Sequence, residues 1–261
     1  MLTREDLLNR FPALGEVEIH EAISSTNDRA IALAKAGAPH LTLVLSDSQS
    51  VGRGRGSRSF FSPPGTGVYY SILVRPRCAA EEVFRLTLLA AVATAEAIEE
   101  IAPLQVSIKW VNDLWVNGRK VTGILTEGGF TPSGDPAWAV IGIGVNVGKT
   151  AFPPALEKVA TSLENEAGRP LSRDDLICHM TDRLLTRLAE FPHGNYLDAY
   201  RARSCLIGAT VEIARGEETY PARVLGIGDK GELLLDRAGE RIALSSGEIA
   251  HVTFRPETKR T

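Results

Sequence analysis

Residues 51–58 read VGRGRGSR, in which Gly52, Gly54 and Gly56 alternate with Arg53 and Arg55 and are followed by Arg58. Glycine lets a backbone approach a ligand closely, and each guanidinium is a planar, permanently charged fork that fits phosphate or carboxylate. Phe60 and Phe61 add aromatic faces just beyond. Such a loop suits a nucleotide-like anion. The same composition also fits a solvated surface loop or a disordered RNA-binding segment, and the loop alone does not choose between these readings. Downstream, Lys109, Asn112, Asp113 and Lys120 surround an Asn117-Gly118 dipeptide. Taken singly, the lysines read as ordinary surface residues. Taken together with KWVNDL, the Asn-Gly turn, the arginine loop and Gly144-Val145-Asn146, they describe chemistry by charge. Cations arranged around an anion are what phosphoryl or adenylyl transfer requires, because positioning and electrostatics dominate there.

Other chemistries find little support. No HExxH and no His/Cys spacing marks a protein-held metal, and no G-x-S-x-G elbow marks a serine hydrolase. The run GIGVNVGKT imitates a phosphate-binding P-loop, but Ile143 stands where that motif needs its first glycine. The AFPP that follows Thr150 cannot open the helix the motif also needs. The G-x-G-x-G spacing of the arginine loop is not a dinucleotide fingerprint, and no βαβ unit follows it closely.

The elements that must hold these residues can be read around them. Ser25, Thr26 or Asn27 can cap a helix that carries Ala30, Ile31 and Ala34 and stops at Gly37. The 24 residues before it hold only a turn or two of helix. Residues 41–45 form a strand that delivers the chain into the glycine loop, and 68–74 (VYYSILV) form a strong strand. Residues 81–101 form a long helix with Val83, Leu86, Ala90, Ala93, Ala97 and Ile101 at helical spacing. Asn117-Gly118 between apolar runs predicts a hairpin that sets Lys109, Asn112 and Asp113 beside Lys120, with Trp110, Val116, Val121, Ile124 and Leu125 packing the sheet. Residues 138–147 form another strand, thinned by Gly142 and Gly144. A helix over 172–191 opens on a capping box from Ser172 to Asp175, and a short helix follows over 197–204. After Cys205 come five short strands parted by glycine turns, the pattern of a small all-β unit.

The 261 residues allow one large domain or one large and one small. A net charge of −3 argues against a dedicated nucleic-acid binder. Cys78, Cys178 and Cys205 are odd in number and form neither metal spacing nor a disulfide framework, which favours a reducing cytoplasm. The amphipathic, charged start is no signal peptide, and no apolar run is long enough to span a bilayer.

Six stretches together resemble the biotin protein ligases, the biotin–[acetyl-CoA carboxylase] ligases: STN (25–27), QSVGRGRGSRSFFSP (49–63), KWVNDL (109–114), GRKVTGILTE (118–127), GIGVNV (142–147) and SGEI (246–249). Val111 departs from the usual proline of KWPNDL, with a small expected effect on the turn. Nothing before Ser25 is long enough for the helix-turn-helix domain of bifunctional members, so the resemblance is to the ligase-only type, without operator binding. It implies an α+β fold: a mixed-sheet catalytic domain over 1–204 and a small SH3-like β-barrel over 205–261. It implies ATP, biotin and Mg²⁺, and a biotin carboxyl carrier domain of a biotin-dependent carboxylase as partner. No DNA or membrane partner is expected, and a homodimer is left open. The implied binding set is Ser25, Thr26, Asn27, Gln49, Gly52, Arg53, Arg55, Arg58, Phe60, Lys120 and Asn146, with Lys120, Arg55 and Asp113 in catalysis. Ser25, Thr26 and Gln49 would hold the biotin ureido head, Lys120 would bridge its carboxyl and the α-phosphate, and Phe60 would pack the adenine. Asn146 would touch the nucleotide, and Asp113 would orient the incoming lysine or the metal. The rivals are a lipoate or octanoate ligase or transferase on the same fold, a nucleic-acid-binding regulator using RGRGSR, and a biotin-binding module that consumes no ATP.

Overall fold

The computed structural model describes residues 2–56, 58–215, 218–245 and 248–253. Seven strands build the larger sheet: β1 (Glu16–His20), β2 (Thr42–Ser46), β3 (Gly67–Val74), β4 (Ser107–Lys109), β5 (Asp113–Val116), β6 (Arg119–Phe130) and β7 (Pro136–Asn146). Their order is β1-β2-β3-β7-β6-β5-β4. β1 and β2 run parallel, joined through helix α2 (Thr26–Lys35), and every other neighbour is antiparallel. The other helices are α1 (Arg4–Arg10), α3 (Arg85–Ile101), α4 (Leu163–Ala167), α5 (Arg173–Ala189) and α6 (Tyr196–Arg203). A second sheet, wholly antiparallel, contains β8 (Thr210–Arg215), β9 (Glu218–Ile227), β10 (Leu233–Arg237), β11 (Glu240–Leu244) and β12 (Glu248–Thr253) in the order β11-β10-β9-β8-β12. The fold is thus α+β, a mixed sheet with a small antiparallel SH3-like sheet after it, as expected. Among the described residues no helix is long and apolar enough to cross a membrane.

Strand alternation divides the large sheet into a core face and a site face. Val68, Tyr70, Ile72 and Val74 of β3, and Ala139, Ile141, Ile143 and Val145 of β7, point to one face and share its core with α3 and α5. Each valine or isoleucine among them contributes about 1.5–3 kcal/mol when fully buried. The opposite face of β7 reads Val140, Gly142, Gly144, Asn146. Val140 joins Leu73, Val44, Ala30 and Ala34 in a small second core under α2. The two glycines that follow leave the sheet bare, and the candidate site lies there.

Several boundaries depart from the sequence reading. The segment before Ser25 holds α1, capped by Thr3, and also strand β1, whose alternating glutamates do not announce a buried edge. The long helix begins at Arg85, because a 3₁₀ turn over Ala80–Glu82 comes first and the Glu82 carboxylate accepts the Ala79 N–H. Of the capping box on α5, the half in which Ser172 Oγ accepts the Asp175 N–H is formed, at 3.1 Å. Val111 follows a cis peptide. Leu125 is half-buried and faces the site, not the core. Of the SGEI stretch, Ser246 and Gly247 lie outside the described residues.

Candidate active site

α2 begins at the bare patch. Ser25 caps it, its Oγ accepting the Asp28 N–H at 3.3 Å. Thr26 and Asn27 thereby turn inward and are buried. Gln49 Oε1 accepts from Thr26 N at 2.8 Å and Thr26 Oγ1 at 3.1 Å, and its Nε2 donates to Ser62 Oγ at 3.0 Å. Ser71 Oγ donates to Asn27 Oδ1 at 2.6 Å. A Cβ on Gly142 would stand 1.9 Å from that same Asn27 oxygen, so glycine is required for Asn27 to lie on the sheet. Ser25, Thr26, Asn27 and Gln49 thus surround one small polar pocket of about 30 Å³ over Gly142 and Gly144.

A larger cavity, about 550 Å³, adjoins it. Phe60, Gly123, Leu125 and Arg53 line both. Phe60 lies across the paired glycines of β6 and β7, since a Cβ on Gly144 would meet its ring at 2.6 Å and one on Gly123 at 3.3 Å. Tyr69 meets the same ring edge-on, with centroids 6.5 Å apart. Burial pushes the Tyr69 phenol up to about 12, and its hydroxyl donates to Pro63 O at 2.8 Å.

The predicted hairpin carries Lys120 into the large cavity, and Lys109 of β4 lines it as well. Asn117 and Gly118 have φ of +49° and +77°, the two positive values that a tight two-residue turn needs. Asn112 Nδ2 donates to Ile124 O at 2.8 Å across the hairpin. Beneath it, Tyr200 Oη donates to Val111 O at 3.1 Å. Lys120 Nζ pairs with Asp113 Oδ1 at 2.7 Å, and Lys109 Nζ lies 4.9 Å from the Trp115 ring centre. Arg55 Nη1 reaches Asn112 Oδ1 at 3.4 Å. Arg58 and Asn146 line the same cavity, and Asn146 Nδ2 donates to Thr161 O at 3.1 Å. The glycine loop is drawn into a narrow hairpin, with Phe60 N donating to Gly52 O at 2.9 Å and Gly54 N to Arg58 O at 2.8 Å.

Arg53 stands apart from its neighbours. Its guanidinium forks onto Glu127, at 2.7 and 2.9 Å, and reaches Asp28 at 2.7 Å. Burial opposes its charge, but the two carboxylates outweigh burial and raise its pKa further. Asp28 and Glu127 were missed in the sequence. Glu127 had a signal, because it continues the Gly123, Leu125 alternation of β6 on the site face. Phe152, Leu156, Val159 and Ala160 also line the cavity and were missed, as they come from an irregular segment after Pro153-Pro154. That segment is stitched to β6 where Lys120 N donates to Val159 O and Thr161 N donates to Lys120 O, both at 2.9 Å.

Comparison with known proteins bears on this geometry. A family model described as the biotin/lipoate A/B protein ligase family matches residues 19–146, the span from β1 to the end of β7. The bifunctional ligase/repressor BirA of Bacillus subtilis is 38% identical over 83% of this chain and 68% of its own length. The biotin–[acetyl-CoA-carboxylase] ligase of Mycobacterium tuberculosis is 28% identical over 95% of this chain and 94% of its own. A solved biotin protein ligase from Aquifex aeolicus, in complex with biotin and ATP, superposes with a TM-score of 0.77 at 26% identity, covering 90% of this chain and 97% of that one. The glycine-floored polar pocket, the cationic cavity and these likenesses agree: the chain belongs to the biotin/lipoate protein ligase family, as a biotin protein ligase.

Proposed function

We propose that the chain joins biotin to ATP as biotinyl-5′-AMP and passes the biotinyl group to a lysine of a biotin carboxyl carrier domain. The observation that carries this reading is the position of Lys120. Its ammonium lies over Gly123, beside Phe60, where the small polar pocket and the large cationic cavity share a wall. An acid whose polar head enters the small pocket presents its carboxylate to Lys120, and a nucleotide in the large cavity presents its α-phosphate to the same group. A carboxylate oxygen then bonds the α-phosphorus, the bond to the bridging oxygen breaks, and pyrophosphate leaves with the electron pair. Lys120, Arg55 and Arg58 stabilise the charge that accumulates. In the second step the carrier amine attacks the acyl carbon, the acyl–phosphate bond breaks, AMP departs, and the amine proton goes to solvent. Magnesium belongs to the substrate in this reading, carried on the ATP phosphates.

The small pocket is tight, about 30 Å³, and Phe60 forms part of its wall. Admitting a bicyclic head therefore requires Phe60 to lift from Gly144, which links biotin entry to movement of the glycine loop. Residues 205–261 act as a second domain, with the boundary after Ser204, and free thiols suit a cytoplasmic ligase. The test is mass spectrometry of the purified chain with MgATP and biotin, or with lipoate in its place. A biotinyl-AMP peak with biotin and no lipoyl-AMP peak with lipoate is expected. A lipoyl-AMP peak alone would assign the chain to lipoate.

A further inference from the structure

Glu166, on α4, does not line the cavity, and its side chain is 5% exposed. Its carboxylate takes three donors: Arg119 Nη2 at 2.6 Å and Thr161 Oγ1 at 2.7 Å on Oε1, and Asn117 Nδ2 at 2.7 Å on Oε2. Burial opposes ionisation, but these donors outweigh it and hold the carboxyl below its ordinary range. The three partners have one thing in common. Asn117 and Arg119 precede Lys120 at the hairpin turn, and Thr161 is the residue whose N–H is bonded to the Lys120 carbonyl. The Lys120 N–H is bonded to Val159 O, on the same irregular segment. Both main-chain groups of Lys120 are therefore bonded to that segment, and Glu166 ties the segment to the hairpin turn that carries Lys120. An ammonium on a four-carbon stem has its reach set by its Cα, and a misplacement of about 1 Å at a reacting centre can cost about a hundredfold in rate.

We propose that Glu166 is a positioning residue for adenylate formation, joining Asn117, Arg119 and Thr161 so that the main chain of Lys120 is fixed against the cavity. This rests on the reading that Lys120 meets the reacting carboxylate and phosphate. A Glu166 that served only to stabilise the fold would have no particular tie to Lys120, and a double-mutant cycle separates the two roles. Glu166→Gln keeps the size but sets an amide against three donors. Thr161→Val keeps the shape and removes one donor, and it carries the cycle if Glu166→Gln does not fold. The readouts are pyrophosphate release with biotin and MgATP, and the melting temperature of every variant.

Glu166→Gln is expected to lower kcat about tenfold while the KM for ATP changes far less. Lys120→Ala lowers kcat further. Adding Glu166→Gln to Lys120→Ala is expected to lower kcat no more, although the melting temperature falls by a similar amount in both backgrounds. Rate losses that multiply would overturn the positioning role and leave Glu166 a stabilising residue. An unchanged kcat in Glu166→Gln would overturn it too. Normal pyrophosphate release by Lys120→Ala would remove the underlying reading and this role with it.

Discussion

Lys120 and Arg55 bear on different steps of the proposed reaction. Lys120→Ala deletes the ammonium at the shared wall and leaves Asp113 without its partner at 2.7 Å. Losing one charge-assisted contact to a transition-state anion costs roughly 3 kcal/mol, about a hundredfold in rate. Both side chains are partly solvated, so the fold is expected to survive. Pyrophosphate release should fall by about that factor with little change in melting temperature, and near-normal release would remove Lys120 from the mechanism. Arg55, by contrast, sits in the glycine loop and touches Asn112 through a long 3.4 Å contact. Ordering the eight residues of that loop costs on the order of 10 kcal/mol of backbone entropy, so contacts to a bound phosphate must offset it. Arg55→Gly removes one such fork and adds backbone freedom. The expected outcome is continued adenylate synthesis, faster release of the adenylate, and labelling of an unrelated bystander protein. An unchanged release rate without bystander labelling would pass the retaining role to Arg53, Arg58 or Phe60. At this scale the sequence was a good guide to Lys120 and Asp113, because an Asn-Gly turn fixes what faces what across a hairpin. It was a poor guide to Arg53, whose two acidic partners come from α2 and β6, 25 and 74 residues away.

Among the elements, β7 shapes the site through what it lacks. Its core face is apolar at every second residue, and its site face carries Gly142 and Gly144 between Val140 and Asn146. Gly142→Ala would drive a methyl group into Asn27, at the first turn of α2. Overpacking of this kind costs about 1–3 kcal/mol, or about 5 °C in melting temperature for a chain of this size. Adenylate formation is expected to fall with it, as α2 carries the polar pocket. Gly226 is the control, since a Cβ there meets nothing within 4 Å, and Gly226→Ala should leave melting temperature and rate near the parent values. Equal effects of the two substitutions would mean that the bare patch is not a steric requirement. β3, β7, α2, α3 and the hairpin were all legible, because each is long or strongly periodic. β1, α4 and the segment carrying Phe152, Leu156 and Val159 were not. Their places are set by pairing with β2, by Glu166 and by the bridge to Lys120, none of which leaves a local pattern.

At the scale of the whole molecule, the second sheet shares the main core, and one of its turns meets the base of the hairpin. Trp110 Nε1 donates to Gly231 O at 3.0 Å, and Arg201 reaches Ile227 O at 2.9 Å and Asp229 at 2.7 Å. Gly231 has a φ of +86°, and a Cβ there would meet Leu88 at 2.8 Å. Trp110 is two residues from Asn112, so the docking turn supports the strand ends that hold the hairpin. Gly231→Ala is expected to loosen the sheet, which limited proteolysis between residues 204 and 210 would detect, and to slow adenylate formation. Faster cleavage with an unchanged rate would show that the second sheet has no part in catalysis. The strands of this sheet were legible from their spacing, but the docking turn was not, since it depends on a distant indole. One consequence follows from the arrangement of charge. At the Arg53 corner two carboxylates meet one guanidinium, so that cluster carries a net negative charge. The large cavity is lined by Arg53, Arg55, Arg58, Lys109, Lys120 and Lys158, with Asp113 as the one acid among the described residues that line it. The charge is therefore uneven, with cations around the large cavity and the two carboxylates set behind Arg53, outside the lining of either pocket. In the proposed reaction, an acid whose head enters the small pocket would have its carboxylate drawn toward the cations of the large cavity, which would help sort head from tail. Because the Debye length is about 8 Å at physiological salt, this sorting of head from tail acts only within the site and weakens as ionic strength rises.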